Sequence, residues 1–188
     1  VAKAVAEAWK KLPAKKAVNG LVLDLRFAEG RDYAAAAELA DLFLKAEQTL
    51  LRVGGSTIRS TEKTNAIAQP LALLVNRRTA GGAEALAAVL RQAEIALIIG
   101  SPTAGQAHLF NEHVLSGGQR LRMAAGSIQL GDGTPLPELG LTPDIRVEVS
   151  AEEERIYFED PYREIPRMLG EALRTARNGL SAEGSGTN

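Results

Sequence analysis

Two short apolar runs flank a segment with helical periodicity, and this arrangement constrains the chain more than any other feature. The first run, Leu71-Ala-Leu-Leu-Val-Asn76, follows Pro70 and ends in the turn Arg77–Gly82. The second is Ile95–Ile99. Between them Ala83, Leu86, Ala87 and Leu90 form one stripe, which predicts a helix over 83–92. Parallel strands need a crossover of this kind, so 71–76 and 95–99 are predicted to be parallel neighbours. Gly20–Phe27 is another apolar run between turn signals and reads as a strand buried on both faces. The spacing predicts helices over 1–12 and 33–46, the second capped by Asp32, and a strand over 48–53. Pro13 and the basic stretch after it break the first helix, and Gly54-Gly55 allows a turn before an irregular polar stretch, 56–69. Beyond the loop Gly100–Gln106 the period falls towards two, with strands expected near 107–115, 119–124, 127–130 and 145–149. A helix is expected over 163–178 and a disordered polar tail over 179–188. The fold class is α/β: a largely parallel sheet of buried strands followed by a more β-rich part, in a single domain over 1–178.

Charge and composition narrow the chemistry. There are 22 Lys and Arg against 23 Asp and Glu, a formal net charge of −1, which argues against nucleic acid as the main partner. No apolar run approaches the roughly 18 to 20 residues of a membrane span, so no membrane insertion is expected. Cysteine is absent, which excludes disulfides, a thiol nucleophile and thiolate metal ligands. His108 and His113 are five residues apart, which puts them on opposite faces of a strand and argues against a metal pair. No phosphate-binding loop or dinucleotide fingerprint occurs, and Gly131-Asp-Gly133 reads as a plain turn. No cofactor is expected. Arg77-Arg78 reads as a solvated turn and Glu152–Glu154 as a solvated helix start. The chain begins at Val1 without a signal peptide, which suggests a mature fragment or an excised domain.

Four blocks in order carry a family resemblance: Gly20–Phe27, Pro70–Glu84, Ile95–Gly105 and Gly140–Val147. Together they resemble the carboxyl-terminal processing peptidases, also called tail-specific proteases, over about two-thirds of the chain. The resemblance implies a crotonase-like α/β core and a serine peptidase using a Ser–Lys dyad, usually preceded by a peptide-binding PDZ domain. No PDZ-like segment is evident here. Serine attacks the peptide carbonyl, neutral lysine takes its proton and backbone amides hold the oxyanion.

Carried over position by position, the resemblance fails where the chemistry lies. The nucleophile position, three residues before Glu84, is Gly81. The general-base position, directly after the Pro-Thr-x-Gly loop, is Gln106, and a supporting acid position falls at Gln92. The turn after the first strand, which helps to form the oxyanion site, reads Ala28-Glu29-Gly30-Arg31. Gly30, Gly81 and Gly82 are therefore the candidate oxyanion or peptide-binding positions. Thr79 and Ser101 lie near the right loops as substitute nucleophiles, with His108, His113 or Lys63, the last lysine of the chain, as substitute bases. The expected function is a degenerate peptidase homologue that binds polypeptide C-termini or acts as a scaffold. The alternatives are an active serine peptidase with a rearranged or externally completed site, and a binder of small apolar ligands. The resemblance also implies an extracytoplasmic location and leaves oligomerisation open.

Overall fold

A computed structural model describes residues 1–12, 18–159 and 170. Of the helix expected over 163–178 only residue 170 is described, in helical conformation, and the expected disordered tail falls outside these residues. The main sheet has four parallel strands in the order β1-β4-β5-β9: β1 Leu21–Asp24, β4 Leu71–Val75, β5 Ala96–Gly100 and β9 Ile145–Arg146. The predicted crossover forms as expected, with α3 (Gly82–Gln92) joining β4 to its parallel neighbour β5. Helices α1 (Ala2–Lys11) and α2 (Tyr33–Asp41) complete the helical layer. Leu73 and Val75 of β4 and Ile98 of β5 pack in one core with Ala37 and Ala40 of α2 and Leu86 and Leu90 of α3. The Asp32 carboxylate caps α2, accepting from the Ala35 amide at 2.9 Å.

A second, antiparallel sheet in the order β3-β2-β8 closes the other end of this core, through Leu50, Leu51 and Ile128. It comprises β2 (Thr49–Val53), β3 (Ser56–Arg59) and β8 (Gln129–Leu130). Strands β6 (His108–Val114) and β7 (Arg120–Ser127) form a separate antiparallel hairpin. Helix α4 (Ala151–Glu159) follows β9.

Several expectations change. The stretch 56–69 is not irregular throughout, because β3 returns along β2. Gly54 and Gly55 both have positive φ, 56° and 83°, the geometry of a two-residue hairpin turn that only glycine adopts at little cost. Helix α2 stops at Asp41, and turns carry the chain through Phe43 to β2. Strand β1 is not buried on both faces. It lies at the sheet edge, and on its outer face Val22 is 43% exposed, as is Leu97 of β5 at 44%, with Ala72 of β4 between them. This outer face is covered only towards its C-terminal end, where Leu74, Ile99 and Val147 pack with Phe27 and Val149. Arg77 is exposed as expected, but Glu154 is buried and pairs with it, joining α4 to the β4–α3 turn. The Arg78 guanidinium lies over Phe27, which also meets Phe158 of α4 edge to face.

Candidate functional site

The site is organised by one buried carboxylate. Glu84 sits in the first turn of α3 and is 2% exposed. Its Oε2 accepts from the Gly81 amide at 2.9 Å and the Gln106 amide at 2.8 Å. Its Oε1 accepts from the Thr103 hydroxyl at 2.5 Å and the Gly105 amide at 2.7 Å. A buried charge is tolerated when donors saturate it, and four donors do so here. Thr103 Oγ1 in turn accepts from the Leu141 amide at 2.8 Å, which draws in the Gly140–Val147 block. Three sequence blocks distant in the chain thus meet through Glu84 and Thr103. The glycines make the close approach possible. Gly105 and Gly140 have φ of 67° and 86°, and a Cβ on either would overlap backbone of the facing loop.

Gly81 caps α3 with φ 60° and ψ −114°, a left-handed conformation that favours glycine. A Cβ built there would overlap the carbonyl oxygen of Gly30. The loop after β1 therefore fills the space in which a side chain at 81 would begin. That loop is tied to the α3 turn by Ala80 N–H to Ala28 O at 2.9 Å and Gly82 N–H to Gly30 O at 2.8 Å. Gly30, Gly81 and Gly82 lie together. Yet the Gly81 and Gly82 amides are already donated to Glu84 and Gly30 and do not face an empty oxyanion position. Gln106 joins the cluster through its backbone, and its side chain is exposed.

Gln92 does not join the site. It ends α3, eleven residues beyond Gly81, which at about 1.5 Å of rise per residue places it about 16 Å away. It lines a different crevice, with Gln48, Thr49 and Asp132. The substitute nucleophiles are otherwise engaged or remote. Thr79 is fully buried and donates its hydroxyl to Leu25 O at 2.8 Å, while accepting from the Asn76 amide. Its conformation is a structural clasp between β1 and β4. Ser101 follows β5, with its amide on Val75 O. Lys63 is held 2.5 Å from Asp41, at the C-terminal end of α2. His108 Nε2 donates to Gly105 O at 3.1 Å, and His113 is exposed on the hairpin. Among the described residues, no Ser or Thr hydroxyl is hydrogen-bonded to a lysine or histidine, and no group of His, Asp and Glu is arranged to hold a metal ion.

Sequence reasoning used Glu84 only to set the register of the nucleophile position and missed its role. A signal was available: an acid three residues after a helix cap is half of a capping box.

Two clefts flank this cluster. One, of about 320 Å³, is lined by Glu29, Gly30, Arg31, Ala80, Gly81 and Gln106. The other, of about 520 Å³, runs between α2, β3 and the hairpin, past Tyr33, Val53, Ile58 and Phe110. The buried Tyr33 hydroxyl donates to His108 O at 3.1 Å, joining α2 to β6. Burial pushes the Tyr33 phenol above its usual range, opposed by the nearby Arg31 charge and assisted by Glu84.

Residues 1–147 match peptidase family S41. A carboxyl-terminal-processing peptidase 2, chloroplastic, of Arabidopsis thaliana is 33% identical over 132 residues, covering 68% of this chain and 26% of its own. A carboxy-terminal processing protease of Bacillus subtilis is 26% identical over 139 residues, covering 72% of this chain and 30% of its own. The chain thus spans about a quarter to a third of the length of the curated relatives it matches. The solved structure of a photosystem II D1 C-terminal processing protease superposes with a TM-score of 0.64 at 27% identity, over 78% of this chain and 39% of that one. The α/β core described above is shared with that structure. Mature CPAF shares the fold at a TM-score of 0.66 and 12% identity, over 93% of this chain and 47% of that one.

Proposed function

The chain belongs to peptidase family S41, and from that premise we propose that it is a member without peptidase chemistry, which binds the C-terminal part of polypeptides. The observation that carries this reading is the geometry at Gly81. Glycine there supplies no nucleophile, and the Gly30 carbonyl oxygen stands where a side chain would start. Gln106 at the base position cannot accept a proton at neutral pH. The scaffold around these positions is nevertheless kept, since Glu84 still joins three loops beside two open clefts. A preserved surface without a nucleophile suits binding in place of turnover. A rearranged active site finds no support in the hydrogen bonding of Thr79 and Thr103, whose hydroxyls are donated to Leu25 O and Glu84. A small apolar ligand is not favoured either, because Glu29, Arg31 and Gln106 line the cleft at Gly81. Membership of the family is also the ground for proposing a location outside the cytosol. No described helix is long and apolar enough to cross a membrane.

The test is direct. Incubated with a fluorophosphonate probe and with apolar-tailed peptides, the protein is expected to show neither labelling nor cleavage. Stoichiometric labelling of one Ser or Thr, or cleavage of the peptides, would overturn the inactive reading. An absence of peptide binding would overturn the binding function.

A further inference from the structure

At the end of α3 opposite Gly81, three features that folding does not explain meet in one cleft. The first is Glu94. Helix α3 closes in a Schellman turn, with the Ile95 amide donating to Leu90 O at 3.1 Å and the Glu94 amide to Arg91 O at 2.9 Å. The left-handed position of such a turn is usually glycine, but here it is Glu94, with φ 58°. An acid just beyond a helix C-terminus also faces the negative end of the helix dipole. Glutamate is thus disfavoured there on two counts. Phe27, the other non-glycine residue with positive φ among the described residues, is held by Phe158 and Arg78. The Glu94 side chain has no hydrogen bond or ion pair among the described residues. The second feature is Gln69, whose Oε1 is buried without a donor, an arrangement that costs free energy unless something else supplies one. The third is Lys45, which has no carboxylate within ion-pair distance among the described residues, although Glu94 lines the same cleft.

The cleft has a volume of about 550 Å³, and Phe43, Ile67, Pro70 and Ile95 supply its apolar surface. Its walls are fixed by the backbone, through Ile67 N–H to Leu42 O and Lys63 N–H to Lys45 O, both at 2.9 Å. Acceptors gather on one side: the Glu94 carboxylate, the last carbonyls of α3 and the Gln69 amide. That combination suits an ammonium group, because a helix C-terminus and a carboxylate both favour a cation. Lys45 would repel a simple amine but attracts a carboxylate. Two opposite charges that line one cleft without meeting are bridged by a ligand carrying both. We propose that this cleft binds a free zwitterionic amino acid with an apolar side chain: its ammonium on Glu94, its carboxylate on Lys45 and its side chain against Phe43, Ile67 and Ile95. The site is separate from the clefts beside Gly81 and does not depend on the peptide-binding function proposed above.

The experiment titrates the whole chain with L-leucine and follows the assigned backbone amides by NMR. Three analogues each lack one part of the ligand: 4-methylpentanoate the ammonium, 3-methylbutylamine the carboxylate and glycine the side chain. Leucine is expected to shift the amides of 67–69 and 93–95 in a saturable way, with a Kd of about millimolar, and each analogue to bind about tenfold more weakly. Glu94→Gln, which keeps the backbone, should bring leucine down to the level of 4-methylpentanoate, and Lys45→Gln to that of 3-methylbutylamine. Glu94→Gly should abolish leucine binding while raising the urea midpoint, because glycine relieves the left-handed position. A gain in stability at the expense of binding is not expected of a merely structural residue. Saturable shifts at Gly30 and Gly81 in place of 67–69 and 93–95, or no saturable shift at all, would overturn the site and leave the peptide-binding function untouched. Equal binding of the amine and leucine would overturn the role of Lys45, and equal binding of 4-methylpentanoate that of Glu94. Equal binding of glycine would overturn the role of the apolar surface. A lowered urea midpoint in Glu94→Gly would overturn the reading of Glu94 as a residue held against its backbone preference. Circular dichroism of each variant reports whether the fold is kept.

Discussion

At the scale of single residues, Gly81 and Glu84 have opposite characters. Gly81 is required by its backbone. Alanine there must hold a positive φ and also displace the Gly30 carbonyl. Gly81→Ala is expected to destabilise the fold by about 1 to 3 kcal/mol, seen as a lower urea midpoint. The same clash bears on the proposed dyad positions: Gly81→Ser with Gln106→Lys supplies a hydroxyl and an amine there, but the loop after β1 must first move away. No hydrolysis is expected from that double variant. Glu84 is required by its oxygens. Glutamine has one carbonyl oxygen, whereas four donors converge on the native carboxylate. Glu84→Gln is therefore expected to cost about 2 to 4 kcal/mol, measured by the same denaturation.

At the scale of elements, α2 is held at both ends. Its cap, Asp32, satisfies the Ala35 amide, and Asp32→Ala should lower stability by about 1 kcal/mol in thermal unfolding. Tyr33 in its first turn ties it to β6. Burial, acting against Arg31, raises the Tyr33 pKa, so the folded state favours the neutral phenol. That contribution is complete below the unfolded value near about 10 and is lost as pH rises through the folded value. Tyr33→Phe should therefore remove part of the alkaline fall in stability. Asp41, which ends the helix, shows the reverse sign. Burial alone would raise its pKa, but hydrogen bonds from Lys63 and Thr61 outweigh it and hold the carboxyl low. Its contribution is present above the unfolded value near about 3.9 and is lost as pH falls through the folded one. Asp41→Asn should lower stability at pH 7 and flatten the acid limb of a stability–pH curve.

At the scale of the whole molecule, the β6–β7 hairpin pairs with neither larger sheet, and β7 is exposed along its length. An isolated two-stranded ribbon has little stability of its own in water. Native-state hydrogen exchange should show the hairpin amides opening well before those of β4 and β5, which lie inside the main sheet. Equal protection across both would contradict this.

What the sequence determined by itself is local. Two buried runs around a helical stripe were enough for the β4–α3–β5 unit, because periodicity reports which face of an element avoids water. The turn at Gly54-Gly55 was equally legible, since glycine permits the positive φ that such a turn needs, whereas the end of α2 at Asp41 was not. The family blocks were also legible without coordinates, and residues 1–147 match the family they resemble. The tertiary structure decided the matters that depend on contact between distant segments. It made β1 an edge strand with an open outer face, and it drew 56–59 into pairing with β2. It sent Gln92 to the far end of α3 and turned Glu84 from a register mark into the centre of the site. It also set the Gly30 carbonyl against residue 81 and placed the Arg31 guanidinium over Phe110. Periodicity follows one chain segment at a time, whereas a hydrogen bond between residues 84 and 103, or a carbonyl facing a glycine fifty residues away, exists only once the chain has closed on itself.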